Sequence, residues 1–203
     1  MKAGGRAMNI ANKLTVARLI AVPIFMVVML LPESILSLKN ASIIGAIIFI
    51  AASITDSLDG HIARKYNLIT DFGKFVDPLA DKFLVIGALF VILYRFEELR
   101  LYVLILTIAV VFRELAVTSA RLVASTSSEK VVIPANIYGK IKTVFQIVFI
   151  SSVLIEHVLW ADSFPYLYGY PVSMVAMAGT LVMTLVSGGI YLYHCRKYFD
   201  STK

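Results

Sequence analysis

Long apolar runs separated by short polar stretches make up most of the chain. The first covers residues 15–31 and is apolar apart from Arg18. Five more cover 41–59, 71–94, 101–123, 138–159 and 172–193. Each can cross a hydrocarbon layer of roughly 30 Å, the shortest with help from its flanks. A helix satisfies all its backbone groups within one such segment. The pattern therefore predicts an all-α polytopic membrane protein with six transmembrane helices. Residues 9–18, Asn-Ile-Ala-Asn-Lys-Leu-Thr-Val-Ala-Arg, read as an N-terminal amphipathic interfacial segment lying along the membrane face. Helical phase in the second run should continue past Gly60 toward Tyr66, with a turn at 67–72. Pro78 removes a backbone donor and is compatible with either a first turn or a small kink. Polar residues at 95–100 predict a turn, and those at 125–136 a loop. Trp160, Tyr166, Tyr168 and Tyr170 read as an aromatic belt at the membrane surface. Gly188-Gly189 suits close helix packing.

Composition sharpens this picture. The chain has 203 residues, 59% of them hydrophobic, against 45–50% in ordinary soluble domains. Residues 1–7 read as a leader or appended remnant, with Met8 a plausible start. That leaves 8–203 as a single membrane domain. The net charge of +6 points to cytoplasmic loops rather than to nucleic acid, by the positive-inside rule. One side of the predicted topology collects Lys2, Arg6, Lys13, Arg18, Arg64, Lys65, Lys74, Arg121, Lys130, Lys140, Lys142, Arg196, Lys197 and Lys203. The other has only Lys39, Arg95 and Arg100. Both termini are thus expected in the cytoplasm, which agrees with an even number of spans. Cys195 is the sole cysteine, which excludes an internal disulfide or a cysteine metal cluster. His61, His157 and His194 lack ligand spacing and read as ordinary interface residues.

The chemistry concentrates at 56–81. Asp56 and Asp59 are three apart, and Asp77 and Asp81 are four apart. Each pair lies one turn apart on a helix. A carboxylate at the bilayer centre costs about 2.5–3.5 kcal/mol on translocon scales, and like charges at this spacing repel. Hard divalent cations with oxygen ligands offer compensation. The full pattern is Asp56-x-x-Asp59-Gly60-x-x-Ala63-Arg64, eight residues, then Gly73-x-x-x-Asp77-x-x-x-Asp81. It resembles the signature of the CDP-alcohol phosphatidyltransferase family at every defined position. The resemblance implies that Asp56, Asp59, Asp77 and Asp81 bind two Mg²⁺ or Mn²⁺ ions, with Asp81 also a general base. It implies that Gly60, Ala63 and Gly73 let a cytidine nucleotide approach the backbone, and that Arg64 holds its phosphate. Asn12, Thr15 and Arg18 resemble a polar set that borders the nucleotide in this family, although Asn12 or Thr15 could equally be a helix cap.

Three further stretches carry the resemblance. They are Asn12 to Arg18, Arg113 to Arg121, and Gly139-Lys140-Ile141-Lys142-Thr143. They look like a bacterial branch of the family that joins CDP-diacylglycerol to sn-glycerol 3-phosphate, giving phosphatidylglycerophosphate and CMP. A homodimer in the bacterial inner membrane is implied with it. Arg113, Arg121, Lys140 and Lys142 are then candidates to hold the acceptor's phosphate. Arg113 is the most telling, because it lies within an apolar span where a cation is costly. The basic residues of the fourth and fifth runs also satisfy the positive-inside rule without any ligand. Glu114 is placed to orient or partly neutralise this group, although adjacent residues do not face each other on a helix. The signature alone leaves other acceptors open: inositol phosphate, serine or phosphatidylglycerol. Intramembrane acids also occur in cation or proton transporters, but transport does not require the Gly60, Arg64 and Gly73 spacing.

Overall fold

The computed structural model describes residues 10–65, 71–126, 137–160 and 169–195. Every regular element among them is helical. They are α1 (Ile10–Leu30), α2 (Leu38–Lys65), α3 (Asp71–Arg95), a 3₁₀ turn (Glu97–Leu99), α4 (Arg100–Thr126), α5 (Ile137–Trp160) and α6 (Pro171–Cys195). Five helical stretches are long and apolar enough to cross a membrane: Asn12–Leu30, Leu38–Thr55, Glu97–Val123, Ile137–Trp160 and Pro171–Tyr193. Their outward faces carry large apolar side chains, with Phe112 and Val175 each more than 70% exposed. Continuous apolar surface of this kind meets lipid, so the protein is an integral membrane protein. The predicted leader at 1–7 lies outside the described residues.

The chain divides into two compact units, Met1–Val91 and Ile92–Lys203. In the first, α1 packs on α2 and α3 through small residues. A side chain at Gly45 would meet Met29 Sδ at 2.6 Å, and one at Gly87 would meet Met26 Sδ at 3.2 Å. These glycines let the methionines of α1 seat against the helix backbones. Phe25 and Phe49 complete the contact at 6.0 Å between ring centroids. Two prolines lie inside helices, Pro23 in α1 and Pro78 in α3. Pro78 is well past the first turn of α3, which settles one question the sequence left open. Asn12 and Thr15 lie within α1, so neither is its N-terminal cap.

In the second unit, α6 packs on both α4 and α5. Val117, Ala120 and Tyr191 are buried together where α4 meets α6. On the other side, the Phe145 ring lies over Gly179, where a Cβ would come within 2.5 Å of Cε1. Gly179→Ala is therefore expected to destabilise the protein by about 1–3 kcal/mol, the usual range for overpacking. Phe145→Leu should recover part of that loss in the double variant. Thermal unfolding in detergent would measure both, and equal stability of Gly179→Ala and wild type would refute the packing argument.

Glu156 was not singled out by its sequence context. It sits near the end of α5, 3% exposed, and caps α6. Its carboxylate accepts the N–H of Val172 at 2.7 Å, the N–H of Ser173 at 2.9 Å and the Ser173 hydroxyl. An anion at a helix N-terminus, satisfying otherwise orphaned donors, is favourable. Tyr170 departs from the expected aromatic belt. It is 2% exposed, hydrogen-bonded to His157 Nδ1 at 2.9 Å and edge-on to Phe96. Its hydroxyl finds a partner inside the unit, so nothing draws it to the surface. Burial, aided by Glu98 and Glu156, pushes the phenol well above its ordinary pKa. Tyr166 and Tyr168 lie outside the described residues.

Candidate functional site

The acids of the 56–81 stretch occupy two helices. Asp56 and Asp59 lie one turn apart in the C-terminal part of α2, with Gly60, Ala63 and Arg64 following in the same helix. The side chains from 56 to 64 are outside the described residues. Asp77 and Asp81 lie one turn apart near the start of α3, and Gly73 is buried one turn before Asp77.

α1 holds both acids of α3. Thr15 Oγ1 donates to Asp77 Oδ1 at 2.6 Å. Arg18 Nη1 donates to Asp81 Oδ1 at 3.2 Å, forming an ion pair. Arg18 is fully buried, whereas the Asp81 side chain is 49% exposed. Asn12, one turn earlier on α1, is also buried. Two members of the predicted polar set, Thr15 and Arg18, thus touch the acids of α3. The two clasps advance together, three residues along α1 and four along α3, so they fix the rotation of α3 against α1. Short Asp side chains with hydroxyl and guanidinium partners are held in defined rotamers. They present carboxylate oxygen, the donor type that hard divalent cations take. Asp77 Oδ2 has no hydrogen-bond partner among the described residues. These two carboxylates are of the donor type a divalent cation takes, and no third acidic, histidine or cysteine ligand joins them among the described residues.

The basic candidates lie in the second unit. Arg113 and Glu114 are adjacent on α4, yet their side chains meet: Arg113 Nη1 donates to Glu114 Oε1 at 2.8 Å. Lys142 of α5 donates to the same oxygen and is 4% exposed. The expectation that adjacent residues do not face each other is corrected here. It applies to Cβ directions, and these two side chains are long enough to fold together beside Lys142. Two glycines border the arginine. A Cβ at Gly188 would meet Arg113 Cγ at 3.0 Å, and one at Gly139 would meet its Nη2 at 3.6 Å. Gly188 thus serves close packing against Arg113. Arg121 lies two turns further along α4, beside the same helix. Its Nε donates to Tyr191 Oη at 3.2 Å, and its guanidinium sits 5.5 Å from that ring's centroid. Lys140 is exposed.

A family model described as CDP-alcohol phosphatidyltransferase matches residues 8–186. The chain belongs to the CDP-alcohol phosphatidyltransferase family. Its similarity to named members of that family spans nearly its whole length. It is 42% identical over 193 residues to the CDP-diacylglycerol–glycerol-3-phosphate 3-phosphatidyltransferase of Bacillus subtilis, covering 90% of this chain and 93% of the relative. It is 35% identical over 191 residues to the protein of the same name from Rickettsia bellii, covering 94% and 97%. A probable phosphatidylglycerophosphate synthase of Mycobacterium tuberculosis is 36% identical over 187 residues, covering 92% and 81%. The family match includes both acid pairs, the Arg113–Glu114–Lys142 cluster and Arg121.

Proposed function

We propose that this CDP-alcohol phosphatidyltransferase transfers the phosphatidyl group of CDP-diacylglycerol to sn-glycerol 3-phosphate, releasing CMP and leaving phosphatidylglycerophosphate in the membrane. The likeness to the Bacillus subtilis enzyme over nine-tenths of the chain is the observation that carries this reading. The clustered cations on α4 and α5 agree with an acceptor that bears a phosphate.

Asp56, Asp59, Asp77 and Asp81 would hold two divalent cations, Mg²⁺ or Mn²⁺. Such ions supply charge neutralisation at a pyrophosphate and at the attacking and leaving oxygens. Thr15 and Arg18 keep Asp77 and Asp81 in place. Gly60, Ala63 and Gly73 allow close approach of the nucleotide to the backbone, Arg64 holds its phosphate, and Asn12 borders the site. An acceptor hydroxyl attacks the phosphorus that carries diacylglycerol. The bond from that phosphorus to the bridging pyrophosphate oxygen breaks, and CMP departs with the electron pair. The carboxylate of Asp81 takes the hydroxyl proton. Arg113, Arg121, Lys140 and Lys142 bind the phosphate of the acceptor.

Six spans suit this task, with α3 the sixth despite the charges near its start. The acids then lie at the cytoplasmic face of the bacterial inner membrane, where soluble acceptor and lipid-anchored donor can meet. The N-terminal part of α1 runs along the interface before the helix enters the bilayer. Two copies assemble as a homodimer.

The test is an acceptor panel. Purified protein with radiolabelled CDP-diacylglycerol should yield phosphatidylglycerophosphate with sn-glycerol 3-phosphate, and little product with serine, inositol phosphate or phosphatidylglycerol. A different preferred acceptor would overturn the substrate assignment, and a transporter would release no CMP. Orientation has its own measurement, because Cys195 at the end of α6 is the sole thiol. A membrane-impermeant maleimide should leave it unlabelled in intact cells and label it after permeabilisation. Labelling of intact cells would contradict both the cytoplasmic C-terminus and the even span count.

A further inference from the structure

We propose that Glu114 determines acceptor specificity. One of its carboxylate oxygens fixes Arg113 and Lys142, and the other accepts a hydrogen bond from the acceptor hydroxyl that does not react. This inference rests on the reading that the acceptor is a phosphorylated polyol bound by α4 and α5.

The two oxygens of Glu114 are used unequally. Oε1 accepts from both Arg113 Nη1 and Lys142 Nζ, so its lone-pair sites are filled. Oε2 has no hydrogen-bond partner among the described residues. It does not belong to the fully buried polar atoms that lack a partner, and the Glu114 side chain as a whole is 15% exposed. Rotation that would exchange the two oxygens is opposed on both sides. Arg113 is lodged beside Gly188 and Gly139, and Lys142 is buried on α5. The carboxylate is thus held by one edge, with the other turned to whatever enters beside the cations.

Charge then narrows the choice of ligand. Arg113, Glu114 and Lys142 together carry one net positive charge. A bare phosphate site would be stronger without the carboxylate, because like charges repel. Replacing Glu114 by a neutral group would add net positive charge but release Arg113 and Lys142 from the oxygen that positions them. A carboxylate at this place is useful when the ligand also presents a donor. sn-Glycerol 3-phosphate offers one hydroxyl for attack and keeps another near its phosphate. A carboxylate accepts only hydrogen-bond donors, so Oε2 matches that second hydroxyl and not the phosphate. Hydrogen bonds to charged groups contribute about 1.5–3 kcal/mol, which is a discrimination of roughly ten- to hundredfold.

The experiment compares sn-glycerol 3-phosphate with propane-1,3-diol monophosphate. The second keeps the phosphate and the primary hydroxyl and lacks the secondary one. Wild-type protein should prefer sn-glycerol 3-phosphate by at least about tenfold in kcat/KM. Glu114→Met removes the acceptor atoms at similar volume, and the preference should collapse to within about threefold. A general loss affecting both acceptors equally is expected in addition, from the disturbed cations. Glu114→Gln keeps a neutral oxygen, and its preference should fall between the two. Should Glu114→Met fail to fold, Glu114→Gln carries the test, through kinetics or through the thermal stabilisation that each acceptor confers on the purified protein. An unchanged ratio in the variants would reduce Glu114 to a counter-ion and overturn the proposal. Equal use of both acceptors by wild type would overturn it as well. Failure of the underlying reading looks different: neither phosphate acceptor would then release CMP.

Discussion

Asp77→Asn is expected to lower the rate of CMP release from CDP-diacylglycerol by at least about a hundredfold, the scale of a lost electrostatic or acid–base contribution. The substitution is nearly isosteric. An asparagine oxygen can still accept from Thr15 Oγ1, which lies 2.6 Å from Asp77 Oδ1, so α1 and α3 keep their clasp. What disappears is the charge. Asp81→Asn should be at least as damaging but is less clean, because it also breaks the ion pair with Arg18. Removing a charge that pairs with a buried arginine carries its own penalty. Asp56→Asn and Asp59→Asn should fall in the same range. Removal of divalent metal by chelation should abolish turnover and restoration of Mg²⁺ or Mn²⁺ should recover it. Near-normal turnover by chelated enzyme, or by Asp77→Asn with an unchanged melting temperature, would end the two-metal reading.

The second large effect concerns the acceptor. Arg113→Ala should raise the apparent KM for sn-glycerol 3-phosphate about ten- to hundredfold, the scale of a hydrogen bond between charged groups. The KM for CDP-diacylglycerol should stay nearly unchanged. Arg121→Lys should already impair acceptor use, since a planar guanidinium makes two-point contacts with phosphate and an ammonium acts as a point charge. It would also lose the present contact with the Tyr191 ring and hydroxyl. Free glycerol should be a very poor acceptor at any concentration that glycerol 3-phosphate saturates. The phosphate assignment fails if glycerol reacts as well as its phosphate, or if both arginine variants retain wild-type acceptor kinetics. Lys142 differs from the arginines in kind. It is almost fully buried against Glu114, so its removal should also lower stability, and its kinetics must be read beside its unfolding temperature.

Much of the architecture was legible along the chain, for a physical reason. A bilayer accepts long apolar helices and little else, so the six apolar runs appear as long helices among the described residues, five of them long and apolar enough to cross a membrane. The continuation of α2 past Gly60 to Lys65 followed from helical phase. The acids were legible for the opposite reason. Carboxylates in apolar surroundings are costly, and these stand at repeated spacing with glycines at fixed offsets.

The pairings were not legible. Thr15 and Asp77 are 62 residues apart in sequence, Arg18 and Asp81 63, and Glu114 and Lys142 28. Periodicity shows which face of a helix is polar, but not which neighbour that face meets. The rotation of α3 against α1, and of α5 against α4, makes that choice through packed side chains and the glycines that admit them. The cap that Glu156 places on α6, and the inward turn of Tyr170, belong to the same class. By itself the sequence determined the helices, the acid motif and the family. Only the tertiary structure decided that α1 clasps the acids of α3, and that one carboxylate oxygen of Glu114 is shared by two cations while the other is left open. Those features depend on distances between helices, which local sequence does not carry.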